Sequence, residues 1–180
     1  ILYRIENGKN IKVAELSPGL DNFVIDSTGR FFVSSFTDGF VKRIDLDGSV
    51  NELLPGGMAH SGGITFHNGK IITADLHAIR AYFLNGKEAF TQRNVLGMGA
   101  MGGALNISSD GEQLILVSWV DNDVRIWDQK KQQRIWEKSG LNAPVSAIRY
   151  ADQVVVAEHG SQRIVGFSQE GNLKTIFASN

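Results

Sequence analysis

The chain has 180 residues, 42% of them hydrophobic, with 20 Gly and only 3 Pro, which is enough apolar material for a packed globular body. Eighteen Lys and Arg against 19 Asp and Glu leave a net charge of −1, which excludes a general electrostatic pull toward nucleic acid or an anionic membrane surface. With no cysteine there is no disulfide frame, thiolate metal site or sulfur nucleophile, and no run reaches the roughly 18 apolar residues of a membrane-spanning helix.

Taken in chain order, short β-branched, aromatic and aliphatic runs alternate with Gly, Asn and Asp turns. Residues 1–19 carry two such runs around Asn7-Gly8. Four follow at Phe23–Asp26, Arg30–Ser34, Phe40–Leu46 and Ser49–Leu54, joined through Thr28-Gly29, Thr37-Asp38-Gly39 and Asp47-Gly48. The same order returns from Ile64-Thr65-Phe66-His67-Asn68-Gly69, from Ala104-Leu105-Asn106-Ile107, and from Ala147-Ile148-Arg149-Tyr150. The first-strand anchors Phe23, Ile64, Ala104 and Ala147 lie 41, 40 and 43 residues apart. A second anchor recurs with them, as in Val41-Lys42-Arg43-Ile44-Asp45-Leu46-Asp47-Gly48 and Ile164-Val165-Gly166-Phe167-Ser168-Gln169-Glu170-Gly171. Asn7-Gly8, Asn68-Gly69 and Asn85-Gly86 mark two-residue hairpin turns, because such turns need positive φ.

A four-stranded antiparallel meander repeated every 40 residues or so is the pattern of a β-propeller blade, so the fold class is all-β. Residues 1–19 read as a half blade, and 20–57, 61–100, 101–140 and 143–180 as full blades of one domain. Four and a half blades leave a ring open, and one and a half more units would give six blades in roughly 240 residues. The expectation is a segment of a six-bladed propeller, incomplete at its N-terminus, with a four-bladed ring whose half blade overlaps the last unit as the alternative. A leader upstream of Ile1 would make the protein periplasmic or secreted.

Three stretches resemble known families. Ala157-Glu158-His159-Gly160-Ser161-Gln162-Arg163-Ile164-Val165-Gly166-Phe167 resembles an NHL repeat, and Asp26-Ser27-Thr28-Gly29-Arg30-Phe31-Phe32-Val33 resembles the second-strand entry of gluconolactonase and regucalcin-like propellers. Both families are six-bladed. Val124-Arg125-Ile126-Trp127-Asp128 is similar to the strand ending of a WD repeat, although Gly103 is followed by Ala104 rather than His and the other blades lack Trp-Asp. The lactonase likeness implies a divalent cation such as calcium or magnesium in the central channel, and hydrolysis by metal-activated water. Asp21 matches one channel position of that family and Asp75 another, whereas Gly103 and Ser118 stand where ligands are usual. Glu158 completes the metal candidates Asp21, Asp75 and Glu158. Glu and His on adjacent loops also resemble the streptogramin lyase propellers, where such groups and magnesium promote ring opening by elimination.

Propeller ligands meet the loops before the first and after the second strand of each blade. Before the first strands stand Asp21, Asn22, His60, Ser61, Met101, Asn142 and Pro144. After the second stand Ser35, Phe36, Asp75, His77, Ser118, Trp119, Glu158 and His159. The ligand-binding candidates are His60, Asp75, His77, Trp119, Glu158 and His159. Each has a plainer reading. A loop histidine hydrogen-bonds at the surface, an acidic residue at a strand end caps loop amides, and Trp119 either stacks on a ligand or packs between blades. Trp127 and Trp136 read as blade-to-blade core. Gly97, Gly99, Gly102 and Gly103 read as an inter-blade connection, since no helix follows to make a phosphate cradle. The expected function is an NHL-like propeller that binds a protein, peptide, small-molecule or sugar ligand at its funnel face. The alternative is a metal-dependent hydrolase or lyase.

Overall fold

Asn7 and Asn68 adopt left-handed backbone (φ 49° each) ahead of positive-φ glycines, and so close two tight hairpins as their sequence demands. Asn85-Gly86 differs. Only Gly86 has positive φ, and Gly86 N donates to Phe83 O (2.9 Å) while Phe83 N donates to Lys87 O (2.9 Å), a turn whose glycine absorbs the reversal alone. The structure, a computed structural model, describes residues 1–75, 77–93 and 103–179. The glycine-rich stretch 97–102, Met101 included, lies outside them.

The first hairpin pairs β1 (Leu2–Glu6) with β2 (Lys9–Ala14) as a two-stranded sheet. Four four-stranded sheets follow, each antiparallel and in sequence order. The second unit comprises β3 (Leu20–Ile25), β4 (Phe31–Ser35), β5 (Val41–Ile44) and β6 (Val50–Leu54). The third comprises β7 (Gly63–His67), β8 (Lys70–Asp75), β9 (Ala78–Phe83) and β10 (Glu88–Arg93). The fourth comprises β11 (Asn106–Ser109), β12 (Leu114–Ser118), β13 (Asp123–Asp128) and β14 (Gln133–Lys138). The fifth comprises β15 (Pro144–Tyr150), β16 (Gln153–Glu158), β17 (Arg163–Phe167) and β18 (Leu173–Ser179). The chain is thus an all-β propeller segment of four blades and a hairpin. The run 40–46 yields the shorter β5, because Asp45 opens the turn: Gly48 N donates to Asp45 O at 2.9 Å. The hairpin forms its own sheet and is not added to the fifth. Leu2, Val13, Ala14 and Leu16 pack with Val33 and Ile44 of the second blade.

The core lies between blades. Phe32, Val41 and Leu54 meet Ile64, Ile71 and Tyr82 of the next sheet. Ile72, Ala74, Ile79 and Ala81 then meet Leu114, Leu116 and Trp127, and Ile115, Val117, Val124 and Ile126 meet Val154, Val156, Val165 and Phe167. Strand alternation sends neighbouring side chains to opposite faces, so β12 feeds the preceding interface with Leu114 and Leu116 and the following one with Ile115 and Val117. Trp127 and Trp136 belong to these interfaces, Trp136 half-buried against the last. Burying each such side chain contributes about 1.5–3 kcal/mol relative to exposure. The outward face of the fifth blade leaves Ile148, Tyr150, Ile164 and Phe177 exposed.

Inner strands β3, β7, β11 and β15 lie side by side around the axis. Polar contacts fix their spacing: Ser34 Oγ donates to Gly62 O (3.4 Å) and Ser108 Oγ to Ala147 O (2.6 Å). At the far ends of these strands His67 is buried, with Nδ1 2.6 Å from Ser109 Oγ and Nε2 2.9 Å from Asn68 Nδ2. The Asn68 amide donates to Nε2, so the proton sits on Nδ1 and the ring is neutral. Burial lowers its pKa from 6.5, nearby Asp110 opposing and Lys70 assisting.

The stretch that resembles the lactonase entry is stabilised by Asp26. Its Oδ1 accepts from Thr28 N (2.9 Å), Thr28 Oγ1 (2.8 Å) and Arg30 N (3.0 Å), and Oδ2 from Arg30 Nε (2.8 Å). Burial raises its pKa, yet the bonds from Thr28 and Arg30 outweigh burial and hold the carboxyl below its ordinary value.

Asp26→Ala frees two turn amides and a guanidinium together, and is expected to destabilise the fold by about 2–3 kcal/mol, read as a lower urea midpoint at unchanged slope. His67 favours the fold only while neutral. Its contribution is complete above about pH 6.5 and falls as acid protonates the unfolded ring first. Melting curves between about pH 7.5 and 5 should show His67→Gln losing less stability on acidification than the parent. Parallel losses would refute this assignment.

Candidate functional site

A cavity of about 370 Å³ opens at the axial end of the inner strands where β3 and β15 begin. Its wall comes from four sheets. Asp21 lies on β3, Phe36 follows β4, Gly62 precedes β7, Leu105 precedes and Asn106 opens β11, Val117 lies next to the end of β12 with Trp119 just beyond it, and Pro144 and Val145 open β15. The strands converge because two glycines let them. A Cβ on Gly62 would stand 2.9 Å from Asp21 Oδ2 and from Leu105 O, and one on Gly63 would stand 2.9 Å from Asn106 Cα.

Among the described residues of this wall Asp21 is the ionisable one; it is exposed at the opening, and the neighbouring protein surface raises its carboxyl pKa by desolvation. Among the described residues no hydrogen-bond donor reaches its side chain at bonding distance. Phe36 and Trp119 expose much of their rings, and Phe36 stacks on His60 with centroids 4.8 Å apart. His60 takes left-handed backbone (φ 55°), and its carbonyl accepts from Gly62 N at 2.8 Å. That fixed turn seats the imidazole on the cavity rim.

The other sequence-selected residues are held elsewhere. Asp75 is buried at the end of β8, where Oδ1 accepts from His77 N (2.8 Å) and Oδ2 from Arg80 Nε (3.1 Å). Glu158 is buried at the end of β16, where Oε1 accepts from Asn142 N (2.8 Å) and Oε2 from Arg163 Nε. His77 and His159 are exposed, His159 N donating to Ala143 O at 3.0 Å. In the fourth blade Ser118 Oγ donates to Asp121 Oδ2 (2.9 Å) and accepts from Asp121 N (3.0 Å), and Arg125 bridges Asp121 and Asp123. Burial raises the pKa of Asp123, against the Arg125 pairing, with Asp121 and Glu137 adding to the rise.

Asp21, Asp75 and Glu158 therefore do not converge, and among the described residues no three His, Asp or Glu side chains gather as a cation site. Two of the three carboxylates already neutralise arginines. This donor set does not fit a divalent ion. Leu105, Asn106, Val117 and Val145 line the cavity without having been singled out from the sequence, since nothing distinguishes them from strand residues facing a core. The arginine partners were visible as spacing: Arg80 and Arg163 each stand five residues beyond the acid they hold.

No protein-family profile matches the chain, and no curated protein matches it. Among solved structures it is similar to a catalytically inactive histidine-to-alanine variant of virginiamycin B lyase from Staphylococcus aureus with quinupristin (TM-score 0.72, 19% identity over 95% of this chain and 60% of that one). A selenomethionine-substituted form of the same lyase gives TM-score 0.72 and 20% identity over 96% and 61%. The WD40 β-propeller domain of Doa1 gives TM-score 0.70 and 14% identity over 88% and 54%. The chain thus spans about three fifths of the lyase chains it matches. At these identities the shared property is the propeller fold.

Proposed function

We propose that this propeller is a binding module that takes a ligand in the mouth formed by β3, β7, β11 and β15. One observation carries the reading: a cavity of about 370 Å³ whose wall is mainly apolar, with a few polar groups, on rigid strands from four blades. Sites for small molecules, or for one side chain of a peptide, have this volume and lining. The solved propellers it resembles include an enzyme crystallised with quinupristin, so the shared fold is compatible with taking up a ligand. A hydrolase or lyase that uses a cation would have to release Asp75 and Glu158 from Arg80 and Arg163, so ligand binding is the simpler use of this surface.

A neutral aromatic probe, 2-phenylethanol, tests it on the 15N-labelled chain. The Trp119 indole signal should shift saturably while those of Trp127 and Trp136 stay in place. Val145→Arg, which fills the cavity from an already half-exposed position, should raise the apparent Kd at least about fivefold with the melting temperature held. A Trp119 signal that does not move, or binding indifferent to Val145→Arg, overturns the site.

A further inference from the structure

We propose that this mouth selects a ligand with a single cationic head, a protonated primary amine on an apolar or aromatic body, with the Asp21 carboxylate as counter-charge and the Phe36 and Trp119 rings as flanking faces. The inference rests on the ligand-binding reading of the same cavity and adds the chemical class of ligand.

Three observations converge. First, the acids that this fold uses for structure have their partners: Asp26 holds Arg30, Asp75 holds Arg80 and Glu158 holds Arg163. Asp21 holds none, and it is the one charge in a mainly apolar wall, among the described residues. Asp21 is exposed at the opening, so an ammonium group can reach its carboxylate directly and form a charge-assisted hydrogen bond beside apolar surface. Second, Phe36 and Trp119 are 42% and 55% exposed and line the same cavity as that carboxylate, Phe36 with one face on His60 and the other available. Aromatic faces attract cations, and more strongly where water is partly excluded. Third, Gly62 is shaped to this arrangement. Any side chain there would displace the Asp21 carboxylate, whose Oδ2 lies 2.9 Å from the Cβ position.

The same features disfavour other ligands. An anion would be repelled by Asp21. A sugar would leave most of its hydroxyls unpaired, because among the described residues Asp21, Asn106 and the Trp119 indole N–H are the polar side-chain groups in the wall.

The test compares 2-phenylethylamine with its neutral isostere 2-phenylethanol near neutral pH, read by the Trp119 indole signal and by calorimetry. The amine is expected to bind the parent chain at least about fivefold tighter than the alcohol, and added salt should weaken the amine alone. Asp21→Asn should erase the preference, so that the amine and the alcohol bind that variant with equal affinity. Phe36→Leu, which keeps apolar volume and removes a ring, should weaken the amine about threefold more than the alcohol and gives a second reading if Asp21→Asn melts at lower temperature. Equal affinities for the two probes, or a preference that survives Asp21→Asn, overturns the amine assignment and leaves the mouth intact. Binding of neither probe removes the binding site itself. Binding of methyl β-glucoside with no binding of the amine replaces the ammonium subsite with a sugar subsite.

Discussion

The four-stranded sheets present apolar faces to one another, and the fold follows from the need to cover those faces. A four-stranded meander of 40 residues cannot build a core alone, so its stability comes from stacking on the sheets before and after it. Ile72 and Ile79 of one blade close on Leu114, Leu116 and Trp127 of the next, and Ile115 and Val117 turn from that interface to the following one. The right-handed twist of each sheet fans successive blades around an axis rather than stacking them flat. The inner strands are thereby brought together, and the loops at one of their ends share a single opening.

That constraint also sorts the acidic residues. At strand ends the chain turns sharply and exposes amides, so carboxylates placed there are captured locally. Asp26 takes the amides of its own turn and Arg30, Asp75 takes the His77 amide and Arg80, and Glu158 takes the Asn142 amide and Arg163. Each is buried, and an acid so held is an unfavourable ligand for a cation, since releasing it strands a buried guanidinium. Asp21 stands on the first strand of its blade, where no such turn closes on it, and it remains directed at the axial opening. Position within the blade, rather than residue type, separates a structural carboxylate from one available to a ligand.

The mouth is as rigid as the strands that carry it. Gly62 and Gly63 allow the backbone of the third blade to approach Asp21 and β11 more closely than any side chain would permit. The His60 turn is pinned by its carbonyl bond to Gly62, which sets the imidazole on Phe36. At the opposite end of the inner strands, the buried neutral His67 joins the third and fourth blades through Ser109, so the two ends of the axis are held by different chemistry.

The sequence alone determined the blades. A period of about 40 residues, the two-residue alternation of apolar side chains and the Asn-Gly turns are local properties of the chain, and they place strands without knowledge of the fold. They also placed Trp127 and Trp136 in the core, because alternation assigns a face. The partnerships were decided only in three dimensions. Whether Trp119 packed between blades or stood exposed, whether Asp75 and Glu158 were free or committed to arginine, and which of Leu105, Asn106, Val117 and Val145 would line a cavity all depend on how neighbouring sheets are angled about the axis. Strand register fixes which way a side chain points, whereas sheet packing fixes what it meets, and a cavity walled by four separate blades is written in the second.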